Sequence, residues 1–126
     1  VGAEKDYIAT RVSYGLNLGG PSIAVTSACS SSLVAVAQAC NALAARQCDA
    51  AVAGGASEGL VASSDGHVRP FDAKADGTVF GDAAGAVCLK RQNDAERDGD
   101  PIIATIRGWA VTNDGASKPG YAALTV

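Results

Sequence analysis

The spacing of apolar residues changes along the chain, and each spacing predicts a different element. Residues 5–18 carry apolar side chains at helical intervals and run into Gly19-Gly20-Pro21, which predicts a helix followed by a turn. Ser22–Ala28 is a short run with β-branched residues and predicts a buried strand. Ser30–Arg46 is apolar on nearly every face, so it predicts a helix buried in a large core.

The second half of the chain is richer in turn residues. Glu58–Asp76 predicts a loop, and Asn93–Asp98 predicts a short helix or a turn. Three runs predict strands: Asp49–Ala53, which Gly54-Gly55 should end, Ala84–Leu89 and Ile102–Val111. This order of elements predicts a mixed α/β fold. We expect the chain to be a piece of a larger domain, because its first helix has no preceding element to pack on.

Composition narrows the class of protein. The chain has 126 residues, with 10 Lys and Arg against 13 Asp and Glu, a net charge of −3. This balance argues against nucleic acid or an anionic membrane as the main partner. A membrane-spanning helix needs about 18 consecutive apolar residues, and no run in the sequence approaches that length. The first residues do not resemble a signal peptide. We therefore expect a cytoplasmic protein.

Four cysteines, at positions 29, 40, 48 and 88, form no CxxC pair, and the sequence contains one histidine. This spacing does not favour a zinc site, and the aliphatic content does not require disulfides. We expect free thiols. Cys40 and Cys88 lie in apolar runs and are expected to be buried.

Cys29 lies where the predicted strand meets the predicted helix. The N–H groups at a helix N-terminus stabilise a thiolate, which makes such a thiol a nucleophile. The sharp turn projects the side chain outward, and its backbone N–H groups can face an oxyanion. Ala28 and the serines 30–32 are small enough to leave room for an acyl chain and a pantetheine arm. Spacing alone also fits a buried structural cysteine followed by a serine N-cap, and both alternatives stay open at this point.

Two other groups of residues suggest chemistry. The carboxylates of Asp65, Asp72, Asp76 and Asp82 could suggest a calcium or magnesium site, but they lack the dense alternation of an EF-hand. Turn-forming and ion-pairing roles are the expectation for them. Gly81 and Gly85 are expected to serve close packing, because no phosphate-binding GK[ST] sequence accompanies them.

The stretch GPSIAVTSACSSSL, residues 20–33, closely resembles the active-site signature of the β-ketoacyl synthases, especially those of modular type I polyketide synthases. Further stretches resemble that family in the same order along essentially the whole chain: Asp6–Tyr14, Cys48–Ser57, Asp65–Ala73 (DGHVRPFDA), Thr78–Gly81 and Thr112–Gly115. Several independent matches in one order make coincidence an untenable explanation.

The resemblance implies a thiolase-like, layered αβαβα fold that forms a homodimer. Residues 1–126 would be a partial ketosynthase domain, covering most of the first half of that fold and the start of the second. Cys29 would accept an acyl group from an acyl carrier protein. Decarboxylation of a malonyl-type extender would then drive Claisen condensation, in polyketide or fatty acid biosynthesis. The resemblance implies no metal and no bound cofactor, since the phosphopantetheine arm arrives with the carrier.

The sequence also departs from the family pattern. The family's two catalytic histidines belong to HGTGT-like and NIGH-like motifs that this sequence lacks, so the chain alone is expected to be inactive. His67 matches the loop histidine and is expected to be structural or exposed, and Lys118 is expected on the surface. Ser57 runs directly into Glu58-Gly59, where a short family stretch is missing. Four substitutions put the shape of the substrate channel in doubt: Ser64, Val68, Ala83 and Leu124.

Two alternatives remain beside the synthase. One is a thiolase relative that uses CoA thioesters with the same cysteine. The other is an inactive, truncated or dimerising remnant. The serine triplet after Cys29 and the DGHVRPFDA loop favour the synthase over the thiolase, and the presence of Cys29 argues against a partner protein that has lost its nucleophile.

Overall fold

The computed structural model describes residues 4–57, 63–79, 81–118 and 120. Within these residues the elements are, in chain order, α1 (Ile8–Gly15), α2 (Ser31–Ala44), β1 (Ala50–Ser57), β2 (Ala83–Lys90) and α3 (Gln92–Asp98). Short 3-10 turns, Lys5–Tyr7 and Ala28–Ser30, lead into α1 and α2. Glu58-Gly59 and Leu124, two departures from the synthase pattern, lie outside the described residues, as does Phe80 of the Thr78–Gly81 match.

The two strands form an antiparallel sheet that is paired along its full length. Ala50 lies opposite Lys90 at one end and Ser57 opposite Ala83 at the other. Helix α2 packs on β1. The buried apolar residues are mostly small: Ala37, Cys40, Leu43, Ala53 and Ala95. Small side chains bring helix and sheet close together, and this packing sets the position of the α2 N-terminus over the end of β1.

The predicted end of β1 at Gly54-Gly55 is wrong, because the strand continues to Ser57. A Cβ on Gly54 would lie 2.2 Å from the carbonyl oxygen of Gly85, which no real side chain could tolerate. A Cβ on Gly55 would lie 3.0 Å from the Cβ of Ser32 on α2. The glycines therefore allow close approach of strand and helix instead of ending the strand.

Arg91, between β2 and α3, joins three elements. Its guanidinium donates hydrogen bonds to the backbone oxygens of Leu43 at 3.1 Å and Cys48 at 2.7 Å. It also pairs with the carboxylates of Asp49 and Asp94. The last turn of α2, the approach to β1 and the first turn of α3 are thus held by one side chain.

The structure describes Ser22–Ala28 and Ile102–Val111, but neither segment forms the strand that the sequence predicts. A strand needs a neighbour for its backbone hydrogen bonds, and in the described residues β1 and β2 are paired only with each other, so neither segment has a strand beside it. Side chains hold the two segments to helices instead. The hydroxyls of Ser13 and Ser22 lie 2.9 Å apart, and the indole N–H of Trp109 donates to the amide oxygen of Asn41 on α2 at 2.8 Å.

The remaining elements match the sequence predictions within a few residues, but the predicted burial does not hold throughout. Cys40 is buried as expected, and burial raises the pKa of its thiol. Cys88 is exposed, contrary to expectation, because it lies opposite Val52 on a sheet face that the described residues leave uncovered. Helix α2 buries one face, whereas Leu33 is 74 % exposed. None of the described helices is long and apolar enough to cross a membrane.

Candidate active site around Cys29

Cys29 occupies the middle of the 3-10 turn Ala28–Ser30, directly before the N-cap of α2. The turn is sharp: Ala28 has φ +45°, in the left-handed region that residues with a Cβ rarely adopt. The junction of cysteine and helix predicted from sequence is therefore present. The preceding segment is not a paired strand, so the sharp reversal comes from the turn itself.

Three serines surround the turn and bond to its backbone. The hydroxyl of Ser31 accepts the N–H of Ser27 at 2.8 Å and donates to the carbonyl of Ala28 at 2.8 Å. The hydroxyl of Ser30 donates to the carbonyl of Ser27 at 2.8 Å and lies 2.9 Å from the Ser27 hydroxyl. Since a hydroxyl has one proton, Ser27 must be the donor in that last contact.

The alternative of a buried cysteine with a serine N-cap does not fit these contacts. Cys29 is exposed. Ser30 occupies the N-cap position, but its hydroxyl turns back to Ser27 and makes no capping bond to α2. The first N–H groups of the helix consequently receive no acceptor from Ser30.

Cys29 borders a cavity of about 390 Å³ that is open to solvent. This volume lies within the range of small-ligand sites. The other lining residues are no larger than serine: Ala28, Ser31, Ser32, Gly55, Ala56, Ser57, Ala83 and Gly85. The sequence predicts the small residues next to Cys29 as part of the site. It does not predict the part of the cavity lining that comes from the ends of β1 and β2. The Gly54-Gly55 pair was the available signal, because it marks where the strand approaches the helix.

The loop that contains DGHVRPFDA forms a separate, self-bonded unit. The Asp65 carboxylate accepts hydrogen bonds from Arg69, from the backbone N–H of His67 at 3.1 Å and from the Ser63 hydroxyl at 3.3 Å. The guanidinium of Arg69, followed by the His67 N–H, lowers the pKa of Asp65 to about 2. The exposed His67 ring lies 3.0 Å from the backbone oxygen of Asp65. His67 is thus a loop residue, as predicted, and it does not border the cavity of Cys29.

Other predicted surface or turn residues have identifiable partners. Asp72 accepts the N–H of Lys74 at 2.8 Å and shapes a turn, as expected. Asp76 accepts the Ser64 hydroxyl and lies 3.9 Å from Arg69. Lys118 is more buried than predicted and lies 3.9 Å from Asp114. Within the described parts of the chain, no group of three or more His, Cys, Asp or Glu side chains is arranged to hold a metal ion.

The family model for the beta-ketoacyl synthase N-terminal domain matches residues 1–95. This chain belongs to the beta-ketoacyl synthase family. It is 52 % identical to one protein of the phenolphthiocerol/phthiocerol polyketide synthase of Mycobacterium tuberculosis, over an alignment that covers 95 % of this chain and 9 % of the relative. A second protein of that synthase, from Mycobacterium bovis, is 48 % identical, over an alignment that covers 93 % of this chain and 7 % of the relative. The chain thus spans less than a tenth of the length of these curated relatives.

The alignment with the Mycobacterium tuberculosis relative runs over 132 positions, more than the 126 residues of this chain. The relative therefore carries residues that have no counterpart here. That they belong between Ser57 and Glu58, as the family pattern indicates, stays a prediction.

Solved ketosynthases confirm the predicted fold class. The ketosynthase from module 1 of the bacillaene synthase of Bacillus amyloliquefaciens superimposes with a TM-score of 0.88 and 45 % identity, over 99 % of this chain and 24 % of that chain. Ketosynthase twelve of the bacillaene polyketide synthase from the same species gives a TM-score of 0.87 and 41 % identity, over 98 % of this chain and 24 % of that chain. The chain is a ketosynthase segment with the thiolase-like fold.

Proposed function

We propose that Cys29 is the acyl-accepting nucleophile of a ketosynthase, and that residues 1–126 are the central, nucleophile-bearing segment of that domain. The observation that carries the proposal is the exposed thiol on a tight turn before α2, at the wall of a cavity lined by small residues. Small lining side chains leave room for a thioester, whose carbonyl carbon must reach the sulfur of Cys29.

In the first stage the sulfur of Cys29 attacks the carbonyl carbon of an acyl thioester. A bond forms between that carbon and Sγ, the bond to the carrier sulfur breaks, and the released carrier thiolate takes up the proton that Cys29 loses. Backbone N–H groups of the turn are suited to hold the negative charge on the carbonyl oxygen during the transfer.

In the second stage a malonyl-type extender loses carbon dioxide, and the resulting carbanion attacks the acyl group on Cys29. A carbon–carbon bond forms, and Cys29 leaves as a thiolate that is ready for the next cycle. The groups that promote decarboxylation in the family are histidines, and His67, the one histidine of this sequence, lies on the separate loop. We therefore assign the first stage to this chain and expect no condensation from these 126 residues alone.

The partners follow from this chemistry. An acyl carrier protein would deliver both substrates on its phosphopantetheine arm, which supplies the reactive thioester. The relatives named as polyketide synthases support a carrier as the donor, and we propose that the reaction takes place in the cytoplasm. A second copy of the ketosynthase would complete a homodimer.

Loading of the cysteine tests the proposal directly. The full-length protein that carries this chain is incubated with an acyl carrier protein bearing an acyl thioester, and peptides are mapped by mass spectrometry. We expect one acyl adduct on Cys29 and none in Cys29→Ala. The matched control is Cys88→Ala, which removes another exposed thiol and should leave the adduct in place.

Two outcomes would overturn the proposal. Loading from acyl-CoA but not from the carrier protein would favour a thiolase-like enzyme. Absence of any adduct on Cys29 from either donor would favour an inactive remnant.

A further inference from the structure

The backbone at Ala28 is held in a conformation that its own side chain disfavours. A φ of +45° brings the Cβ of an L-residue close to the following carbonyl oxygen, at a cost of about 1–2 kcal/mol. Glycine would avoid that cost, yet the position holds alanine. Contacts outside Ala28 must therefore stabilise the turn that carries Cys29.

The hydroxyl of Ser31 makes those contacts on both sides of Ala28. It accepts from the N–H of Ser27, which precedes Ala28, and it donates to the carbonyl of Ala28 itself, with 2.8 Å for each bond. One acceptor site and the single proton of the hydroxyl are both in use, so the two bonds are compatible. The side chain thus closes a small ring around the strained residue.

The neighbouring serines do not make the same bridge. Ser30 directs its hydroxyl to the carbonyl and the hydroxyl of Ser27, on one side of Ala28. The Cβ of Ser32 instead occupies the space that a side chain on Gly55 would need. Of the three serines that follow Cys29, Ser31 is the one bonded on both sides of Ala28.

We propose that Ser31 is a positioning residue for the nucleophile: its hydroxyl locks Ala28 in the left-handed conformation and thereby aims the side chain of Cys29 into the cavity. The proposal rests on the proposed role of Cys29 in acyl transfer. It separates two properties of the thiol. Reaction with a small alkylating reagent needs an accessible sulfur, whereas acyl transfer also needs a fixed angle and distance to the carbonyl carbon.

The experiment compares these two reactions in the full-length protein that carries the chain. In Ser31→Ala we expect the rate of Cys29 acylation from the acyl carrier protein to fall about tenfold, since small misplacements of reacting groups cost rates of this order. The rate of alkylation of Cys29 by iodoacetamide should change less than about threefold, because orientation matters little to that reaction. Ser31→Thr keeps the hydroxyl and should recover acylation to within about threefold of the wild type.

A matched control is Thr10→Ala. The Thr10 hydroxyl donates to the carbonyl of Tyr7 at 3.1 Å at the start of α1, the same kind of contact at a helix start away from the cavity. Both rates should be unchanged in this variant. Thermal midpoints measured for every variant show whether the fold is intact.

The inference is overturned if Ser31→Ala is acylated within twofold of the wild type. It is also overturned if acylation, alkylation and thermal midpoint fall together in Ser31→Ala and Ser31→Thr alike, because the residue then only supports the fold. Failure of the proposed function has a different signature, since Cys29 would not be acylated even in the wild-type protein.

Discussion

Within the DGHVRPFDA loop, the carboxylate of Asp65 is an acceptor shared by several groups. Arg69 donates from both terminal nitrogens, and the backbone N–H of His67 donates at 3.1 Å. These bonds favour the ionised form and lower the pKa of Asp65 to about 2. Because an aspartate in an unfolded chain has a pKa of about 3.9, the bonds stabilise the loop above that pH, and their contribution is lost as the pH falls through the folded-state pKa of about 2.

Replacement of Asp65 by Asn should therefore loosen the loop at pH 5 and have a much smaller effect once the pH falls below about 2. Hydrogen exchange followed by mass spectrometry on peptides covering residues 63–69 reports the protection of the His67 amide. At pH 5 we expect exchange in Asp65→Asn to be severalfold faster than in the wild type. The ratio of the two rates should fall steadily between about pH 4 and pH 2 and approach one below that range, because the wild-type carboxylate becomes protonated as the pH passes its pKa.

Two controls accompany this titration. Protection of α2 must persist at low pH, which shows that the whole protein has not unfolded. Arg69→Gln removes the main cause of the lowered pKa, so it should shrink the difference between wild type and Asp65→Asn at pH 5. A ratio that stays constant across this pH range would contradict the assigned role of Asp65.

At the same scale, the position of Cys29 on a turn before α2 could be predicted from sequence, and the backbone conformation of that turn could not. The residue types around Cys29 indicate a thiol before a helix, because hydroxyl-bearing and small residues favour such turns. The left-handed backbone of Ala28 depends on contacts from Ser31, three residues along the chain. No propensity of alanine indicates that conformation.

At the scale of elements, three glycines in β1 and β2 differ in what a side chain would meet. A Cβ on Gly54 would clash with the backbone of β2 at 2.2 Å, and one on Gly55 would press on Ser32 at 3.0 Å. Gly85 lies directly opposite Gly55 in the sheet, and a Cβ added there would meet no atom within 4 Å. The space available for a Cβ therefore increases from Gly54 to Gly55 to Gly85 within one pair of strands.

Alanine substitutions at these three positions should distinguish an effect on the pairing of β1 with β2 from an effect on the position of Cys29. Gly54→Ala should prevent proper folding, because backbone atoms of β2 cannot move away independently. Gly55→Ala should destabilise the protein by about 1–3 kcal/mol, the usual cost of overpacking, and should slow acylation of Cys29 by displacing the α2 N-terminus. Gly85→Ala should leave the free energy of unfolding within about 0.5 kcal/mol of the wild type.

Soluble yield, chemical denaturation and acylation rates in the full-length protein measure this series. Equal stability of Gly54→Ala and Gly85→Ala would contradict the close approach of the two strands. Unchanged acylation in Gly55→Ala would show that the contact between β1 and Ser32 does not set the position of Cys29.

Elements differ in how far sequence can predict them. The sequence predicts helices at α1 and α2, and a short helix or a turn at α3, because helical backbone bonds are local and their patterns are visible within one segment. The strands predicted at Ser22–Ala28 and Ile102–Val111 were wrong, because strand formation depends on a neighbour that local sequence does not specify. The continuation of β1 through Gly54-Gly55 was missed for a related reason: the requirement for glycine comes from contacts with β2 and α2.

At the scale of the whole molecule, the chain leaves unusually much surface accessible. Its accessible area is 10124 Å², whereas a compact protein of 12.5 kDa exposes about 6200 Å². Large apolar side chains such as Leu33, Ile23 and Tyr14 contribute to this surface. No side chain in the described residues is fully buried. Solved ketosynthases are about four times as long as the region that this chain matches, and we infer that the rest of such a domain covers these faces.

The 126-residue chain produced alone should therefore not behave as an independent domain. We expect no single cooperative thermal transition and strong binding of the dye ANS, which reports exposed apolar surface, because burial of apolar area is the main source of folding free energy. The full-length protein that carries the chain is the comparison, and it should bind little dye and unfold cooperatively. If the isolated chain instead unfolded in one sharp transition, with an enthalpy of about 0.7 kcal/mol per residue, its small helix–sheet core would be sufficient for stability. In that case the apolar faces would need another explanation than cover by the remaining domain.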